Sequence, residues 1–396
     1  MEQSNEMLLQ LLSEVLHEKP LSPISPEQWP AILQELRHQS IFALASGQVQ
    51  QLSLSQQQIT EYRQLVVQNM HCFYGVMDAQ RSAVECLHKA EIPVVILKGS
   101  AAAVSYPQPD LRCMGDVDLL VPPKFFSKAY HTLCKHGFRT QETPDNIQRH
   151  IGFTSPQGIL LELHYYFSTS DNVVQNEILD QMLFRAIDSA VIKDVCGYPT
   201  PMLPDLENGL VLLAHINQHL RNGLGLRQII DWMCYAEFYL TDEYWNSCFS
   251  DAAEAIGMQR LAMVTTAMCQ TYLGLSDNIH WCQDCIDDSI CEELLEYILA
   301  HGNFGRKNAA KSSTVSVVRM FRNPIRGLCA AQASGKKTWK ALQTHRWLTP
   351  LAWLYQIIRW IRHGMQRGVK LSSFASATQD ERQETEFLQR LGVTRI

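Results

Sequence analysis

The stretch VVILKGSAAAVSYPQPDLRCMGDVDLLVP, Val94–Pro122, decides how the chain is read. It holds two short apolar runs, and the second, GDVDLLV, carries two carboxylates, Asp116 and Asp118. A continuous apolar run of this length is the pattern of a strand covered on both faces. Residues two apart on a strand share a face, so the two carboxylates stand side by side. Like charges held that close oppose each other's ionisation unless something positive joins them. Magnesium is the natural partner, because it takes oxygen ligands and keeps positions open for phosphate oxygens. Two such ions ~3.5–4 Å apart clamp the attacking and leaving oxygens of an in-line displacement.

A third carboxylate stands in GILLELHYYF, residues 158–167, where Glu162 is flanked by leucines. A lone acid in a buried strand is costly without a cation. Asp116, Asp118 and Glu162 therefore make sense together, as metal ligands on adjacent strands, with Glu162 also a candidate proton acceptor. A salt bridge to Arg149 or Arg112 is the alternative for Glu162. His164 shares the strand parity of Glu162, which makes it a candidate substrate-binding residue or a hydrogen-bonded structural one. Upstream, Gly99 and Ser100 follow the first strand and open an alanine-rich helix. Glycine admits a ligand to the backbone, and a helix N-terminus offers N–H groups to phosphate. Lys98 and Arg112 flank this turn as further candidates for nucleotide phosphates, with a Lys98–Asp116 pair as the structural alternative. Phosphate cradle plus carboxylates is the equipment of phosphoryl or nucleotidyl transfer.

The ordered set Gly99-Ser100, Asp116-Val117-Asp118 and Glu162 resembles the nucleotidyltransferase superfamily, the fold of polymerase beta. The longer string, LKG, then Arg112, GDVDLLV and ELH, is similar to a bacterial family of largely uncharacterised nucleotidyltransferases. Its members are often found beside peptide natural-product biosynthesis genes. The resemblance covers roughly residues 60 to 240. It implies an α+β fold with a small mixed sheet and flanking helices, set between N-terminal and C-terminal helical regions. It implies an NTP substrate, ATP first, two magnesium ions or manganese in their place, and a peptide or small-molecule acceptor. Ser100 and Asp116 stand further apart than the superfamily's usual spacing, with SYPQPDLRCM inserted. The same fold could carry a kinase or glycosyl transferase, or a catalytically inactive scaffold that binds a peptide or partner.

Outward from this core the chain reads as helical. Residues 1–90 form an N-terminal helical region, 91–175 the α+β core, 176–300 a helical domain closing the cleft, and 301–396 a basic helical region. Five strands are expected in the core: PVVILKG, GDVDLLVP, FRTQE, RHIGFTSPQ and GILLELHYYF, with a hairpin turn at Ser155–Gly158. His215 and His219 are four apart on one helix, a zinc-compatible spacing, but the structural reading is preferred. Arg227, a substrate-binding candidate, and Asp231 have the spacing of an intrahelical pair. His280, Cys282, Cys285 and Cys291 lack the second ligand pair of a zinc site. Trp353, Ile357, Trp360 and Ile361, with Arg359, Arg362 and Arg367, form an amphipathic helix that either packs its aromatics or meets a membrane or polyanion.

The 396 residues are 46% hydrophobic and 19% charged, the composition of a folded multi-domain chain. The net charge of −6 splits into about +13 from residue 300 onward and about −19 before it. That basic end keeps nucleic acid among the candidate partners. No run approaches a transmembrane length, the N-terminus lacks signal-peptide features, and twelve scattered cysteines fit a reducing, cytoplasmic setting.

Overall fold

The computed structural model describes residues 3–143, 149–168, 172–220, 223–283 and 288–303, and parts of 307–393, chiefly 345–366 and 383–393. The chain divides into two compact units, residues 1–304 with 391–396, and residues 305–390.

The larger unit opens with three helices, α1 (Gln3–Leu16), α2 (Trp29–His38) and α3 (Gln56–Lys89). The start of α3 is fixed by a capping box: Ser55 accepts from the Gln58 amide, and the Gln58 side chain accepts from the Ser55 amide. The chain then runs through β1 (Val95–Leu97), α4 (Gly99–Ala103), β2 (Asp116–Leu120), α5 (Phe126–Lys135), β3 (His150–Thr154), β4 (Leu160–His164) and α6 (Val173–Ala186). A hairpin of β5 (Val191–Val195) and β6 (Tyr198–Met202) follows, then α7 (Asp205–His219) and α8 (Leu226–Tyr239). Helices Gln259–Leu273 and Asp288–His301 complete this part.

The six strands form one mixed sheet in the order β3-β4-β2-β1-β6-β5. β2 is antiparallel to β1 and parallel to β4, and Asp118 stands opposite Leu97 on one side and Glu162 on the other. Strand parity sorts the side chains. Val117, Leu119, Leu161 and Leu163 are buried in the core with Phe73, Val76, Met77 and Leu87 of α3 and Leu133 of α5. Asp116, Asp118, Glu162 and His164 alternate with them and take the opposite face. Each fully buried Val or Leu contributes about 1.5–3 kcal/mol, so a one-residue slip would cost much of the core as well as turn the acids inward.

The fold class agrees with the sequence reading, with two corrections among the strands. The FRTQE segment contributes only one bridge, Arg139 to Thr154. β5 and β6 lie in a stretch expected to be helical. Their signal was weak because β6 contains Pro199 and Pro201, and its turn uses Cys196 (φ 53°) before Gly197 (φ 87°) instead of Asn or Asp. β1 reaches β6 only at Met202, so the proline nitrogens cost that side no ladder bond. The Ser155–Gly158 turn is present, with the Gly158 amide donating to Ser155 and φ at 89°.

In the smaller unit, a 3-10 turn (Arg346–Leu351) leads into helix Ala352–Gln366. Trp339 stacks on Tyr355, ring centres 4.8 Å apart. Trp353 and Ile357 are half-buried, and Arg362 is exposed. The side chains of Trp360 and Ile361, residue Arg367, and most of the basic loop from residue 301 to 316 lie outside the described residues, as does Cys285.

One buried ion pair ties the sheet to the helices. Arg112, in the loop before β2, donates through Nε and Nη2 to the two carboxylate oxygens of Asp231 on α8, at 2.7 and 2.6 Å. Tyr106 donates to the same carboxylate at 2.7 Å. Both ionic side chains are 2% exposed or less. Removing one partner of such a pair strands the other charge, so Asp231→Ala should lose about 3–5 kcal/mol of stability in urea denaturation. A loss under about 1 kcal/mol, the range of surface pairs, would show that the pair does not hold the loop.

Candidate active site

The carboxylates face a cavity of about 190 Å³ lined by Lys98, Gly99, Arg112, Met114, Asp116, Asp118, Glu162, His215, His219 and Arg227. The strands β2 and β4 supply the acids, the turn after β1 supplies Lys98 and Gly99, and α7 and α8 supply the histidines and Arg227.

Asp118 is the centre of the cluster. It is 3% exposed, and its Oδ1 is 2.9 Å from Lys98 Nζ and 2.9 Å from His164 Nε2. Burial alone would favour the neutral acid, but Lys98 and the hydrogen bond from His164 outweigh it and hold the carboxyl well below the usual range. His164 Nε2 also lies 3.4 Å from Glu162 Oε2. Asp118 Oδ1 and Glu162 Oε2 are thus separated by at most the sum of two contact distances, within the roughly 8 Å that a shared magnesium cluster can bridge.

Neighbouring acids push a carboxyl's pKa up, yet that of Glu162 is lowered, first by its hydrogen bond to His164, against burial and the Asp118 charge, with His150 also favouring the ionised form. His150 Nε2 lies 3.6 Å from Glu162 Oε1. Neither Arg149 nor Arg112 pairs with Glu162: Arg149 donates to the Phe167 carbonyl at 2.7 Å, and Arg112 is held by Asp231. Asp116 stands at the cavity mouth, open to solvent. Its pKa is raised, by desolvation from the surrounding protein first and by Asp118 second.

The turn between β1 and α4 is strained. Lys98 has φ 52° and Gly99 φ 40°, the left-handed region that costs a lysine energy and a glycine little. A Cβ on Gly99 would meet nothing closer than 3.8 Å, so backbone conformation and not space demands glycine. The twist aims Lys98 at Asp118 and not at Asp116. Ser100 is brought close in sequence but not into the cavity. It is 1% exposed and donates to Gln80 Oε1 at 2.6 Å, while Gln80 donates to Thr200 at 3.1 Å. Its hydroxyl ties α3 to the turn instead of facing phosphate. Arg112 lines the cavity with its guanidinium fixed by Asp231.

Arg227 does not pair with Asp231. Its Nη1 donates to the Cys113 carbonyl at 3.0 Å, and its pKa is lowered, by burial first and the Arg112 charge second. His215 and His219, read from sequence as structural, line the same cavity, their rings 4.6 Å apart. Their signal was present in the i, i+4 spacing, but nothing in the sequence shows that α7 turns this face to the acids. Burial and nearby cations hold both neutral: His215 is well below its ordinary value, and His219 is lowered to about 4. His280 pairs with Asp242 at 2.8 Å and Cys282 turns to Gln270 at 3.2 Å, away from any common centre.

The sequence pattern of a family described as "Uncharacterised nucleotidyltransferase" matches residues 25–274, and the chain belongs to that family. By that family it is a nucleotidyltransferase. No curated protein matches the chain. Two solved structures are similar over about half of it. One is the antibiotic-resistance factor ANT(2'')-Ia, at 12% identity and TM-score 0.30, covering 49% of this chain and 91% of its own. The other is an antigenic nucleotidyltransferase-like protein from Paracoccidioides brasiliensis, at 14% identity and TM-score 0.32, covering 50% and 94%.

The histidine wall has a stability signature. A histidine whose folded pKa lies below its unfolded value of about 6.5 binds fewer protons folded than unfolded between the two. Stability is then full above about pH 6.5 and falls as pH drops toward 4. Urea midpoints should decline across that window, and His219→Gln should flatten the decline. An unchanged slope in His219→Gln would mean that His219 is not buried neutral.

Proposed function

We propose that the chain transfers a nucleotidyl group from a nucleoside triphosphate, ATP in the first instance, to a hydroxyl of a peptide or small-molecule acceptor, with magnesium bound at Asp116, Asp118 and Glu162. One observation carries this reading: three carboxylates on adjacent strands face a cavity whose other wall is cationic. The oxygen-only donor set fits a hard divalent ion, and manganese would serve in its place. When bound, magnesium supplies charge neutralisation of the phosphates and polarisation at phosphorus.

The chain's own residues do the rest. Lys98 and Arg227 offer positive charge to the triphosphate, and neutral His215 and His219 offer ring N–H donors. The cavity is smaller than the about 300–1,000 Å³ of a whole small-molecule pocket, so the reading seats the polyphosphate inside and leaves the nucleoside at the mouth. The acceptor oxygen forms a bond to the α-phosphorus as the bond to the β-phosphate oxygen breaks, and pyrophosphate leaves. The acceptor proton passes to Glu162, which is one-third exposed and can return it to solvent. Its lowered pKa keeps it ionised, as a base must be, at the expense of basicity. Asp118, held by Lys98 and His164, is prepaid in orientation before any ligand arrives.

Incubation with each triphosphate and candidate acceptors, read by intact mass and pyrophosphate release, identifies the group moved. Asp118→Asn should cut turnover by roughly 10²–10³-fold, the range for losing one electrostatic group at a reacting centre, and should also lower the unfolding midpoint, because Lys98 loses its buried ionic partner, so turnover is measured well below that midpoint. Full turnover in that variant, or turnover undiminished by a strong chelator, would overturn the reading. Glu162→Gln should lower kcat more than it weakens nucleotide binding, whereas a merely structural Glu162 would leave kcat intact once folded.

A further inference from the structure

The face that carries the acids also carries a second, chemically different ligand set. Among the described residues, one group of histidine, cysteine and acid side chains converges closely enough to hold a metal ion: His150, Glu162 and His164, with ligand atoms within 4.8 Å of one another. It is a mixed nitrogen and oxygen set, and it is built by the β3–β4 pairing. His150 stands opposite His164 in the antiparallel register, and Gly152 opposite Glu162. Strand parity places Glu162 and His164 on one face, and their neighbour His150 reaches the same face from the edge strand.

The spacing is the important quantity. The two histidine nitrogens stand 3.6 and 3.4 Å from the two oxygens of one carboxylate. Ligands at 2.0–2.1 Å around a tetrahedral zinc ion lie about 3.3 Å from each other. The imidazole rings are 5.1 Å apart and tilted by 52°, so they do not stack in a way that closes the space between them. Imidazole nitrogen is a poor ligand for magnesium and a good one for zinc, copper or nickel. Glycine at position 152, directly opposite Glu162, puts no side chain beside the cluster, and a Cβ there would meet nothing within 4 Å.

From this geometry we infer that His150, Glu162 and His164 form a binding site for one zinc-class divalent ion, and that its occupation takes Glu162 out of the magnesium site and His164 away from Asp118. The consequence for the proposed reaction is inhibition. An ion at this position draws His164 Nε2 away from Asp118 and fixes both oxygens of Glu162, leaving Asp116 and Asp118 as a two-acid remnant. His150 touches none of the reacting groups in the transfer as proposed, and His164, the first cause of the lowered Glu162 pKa, remains when His150 is changed. It is 36% exposed on the edge strand, so it can be changed without opening the core. The inhibitory arm rests on the nucleotidyl-transfer reading, and the binding arm does not.

The test separates the two. The full chain, stripped with chelator, is titrated with Co²⁺ alone and then with Zn²⁺ alone. Expected are the visible absorption of tetrahedral or five-coordinate cobalt, its displacement by one equivalent of zinc, and one zinc site by calorimetry. Loss of an outer-shell partner alone costs 10–100-fold in metal affinity, so loss of a ligand in His150→Ala should weaken zinc binding by at least about 100-fold. His150→Gln should do the same, and unfolding midpoints near that of the parent show that the fold is kept. In the transfer assay, zinc at one equivalent should suppress magnesium-dependent turnover in the parent and not in His150→Ala. No cobalt spectrum in the parent, or zinc affinity in either His150 variant equal to that of the parent, overturns the inference. Zinc binding with no nucleotide transfer under any condition leaves the site standing and overturns the proposed function instead. Zinc binding with turnover unaffected overturns the inhibitory arm.

Discussion

The buried pair between Arg112 and Asp231 is the constraint on which the site depends. It joins the loop that enters β2 to the helix that carries Arg227, and it does so bidentately, with both side chains removed from water. A planar guanidinium on a carboxylate fixes orientation as well as distance. Tyr106 adds a third bond to the same carboxylate. The pair therefore sets how far the cationic wall stands from the acidic strands. Such a pair need not raise net stability over an apolar substitute. Here its evident product is geometry: two halves of one cavity held in register.

Much of that geometry was written in the sequence, because strand parity is a local property. Asp116 and Asp118 two apart, and Glu162 and His164 two apart, announced shared faces before any fold was known. That the two strands are adjacent was expected from the cost of lone buried acids, which a shared cation would offset, and the register sets Asp118 opposite Glu162. What could not be read were the partners. Ser100 looked like a phosphate donor, but its hydroxyl donates instead to Gln80, one helix earlier. Arg112 looked like a phosphate ligand until Asp231, 119 residues on, closed around it. The expected pair of Arg227 and Asp231 failed for the same reason, since helical spacing permits a contact that a tertiary partner can outbid. β5 and β6 were hidden by prolines, whose usual message is the end of a strand.

The electrostatics of the cavity divide by wall. On the sheet side, Asp118 and Glu162 stay ionised because Lys98 and His164 stand beside them. On the helix side, His215 and His219 stay neutral because burial and the arginines forbid a further positive charge. Charge separation of this kind is costly to maintain without ligands, and pockets that maintain it are where function is expected. A polyphosphate with a divalent ion would complement both walls at once.

Lys98 sits in the left-handed region with its ammonium on Asp118. Most residues at such a position could be exchanged for glycine with a gain, since the folded chain would shed backbone strain. Here the same exchange would delete the cation that keeps the central carboxylate charged. Stranding that buried charge, at about 3–5 kcal/mol, outweighs the roughly 1–3 kcal/mol of backbone strain that glycine would relieve. The turn therefore keeps its lysine on folding grounds as well as chemical ones, and a search for hardier versions of this protein that selects on stability alone will still retain residue 98.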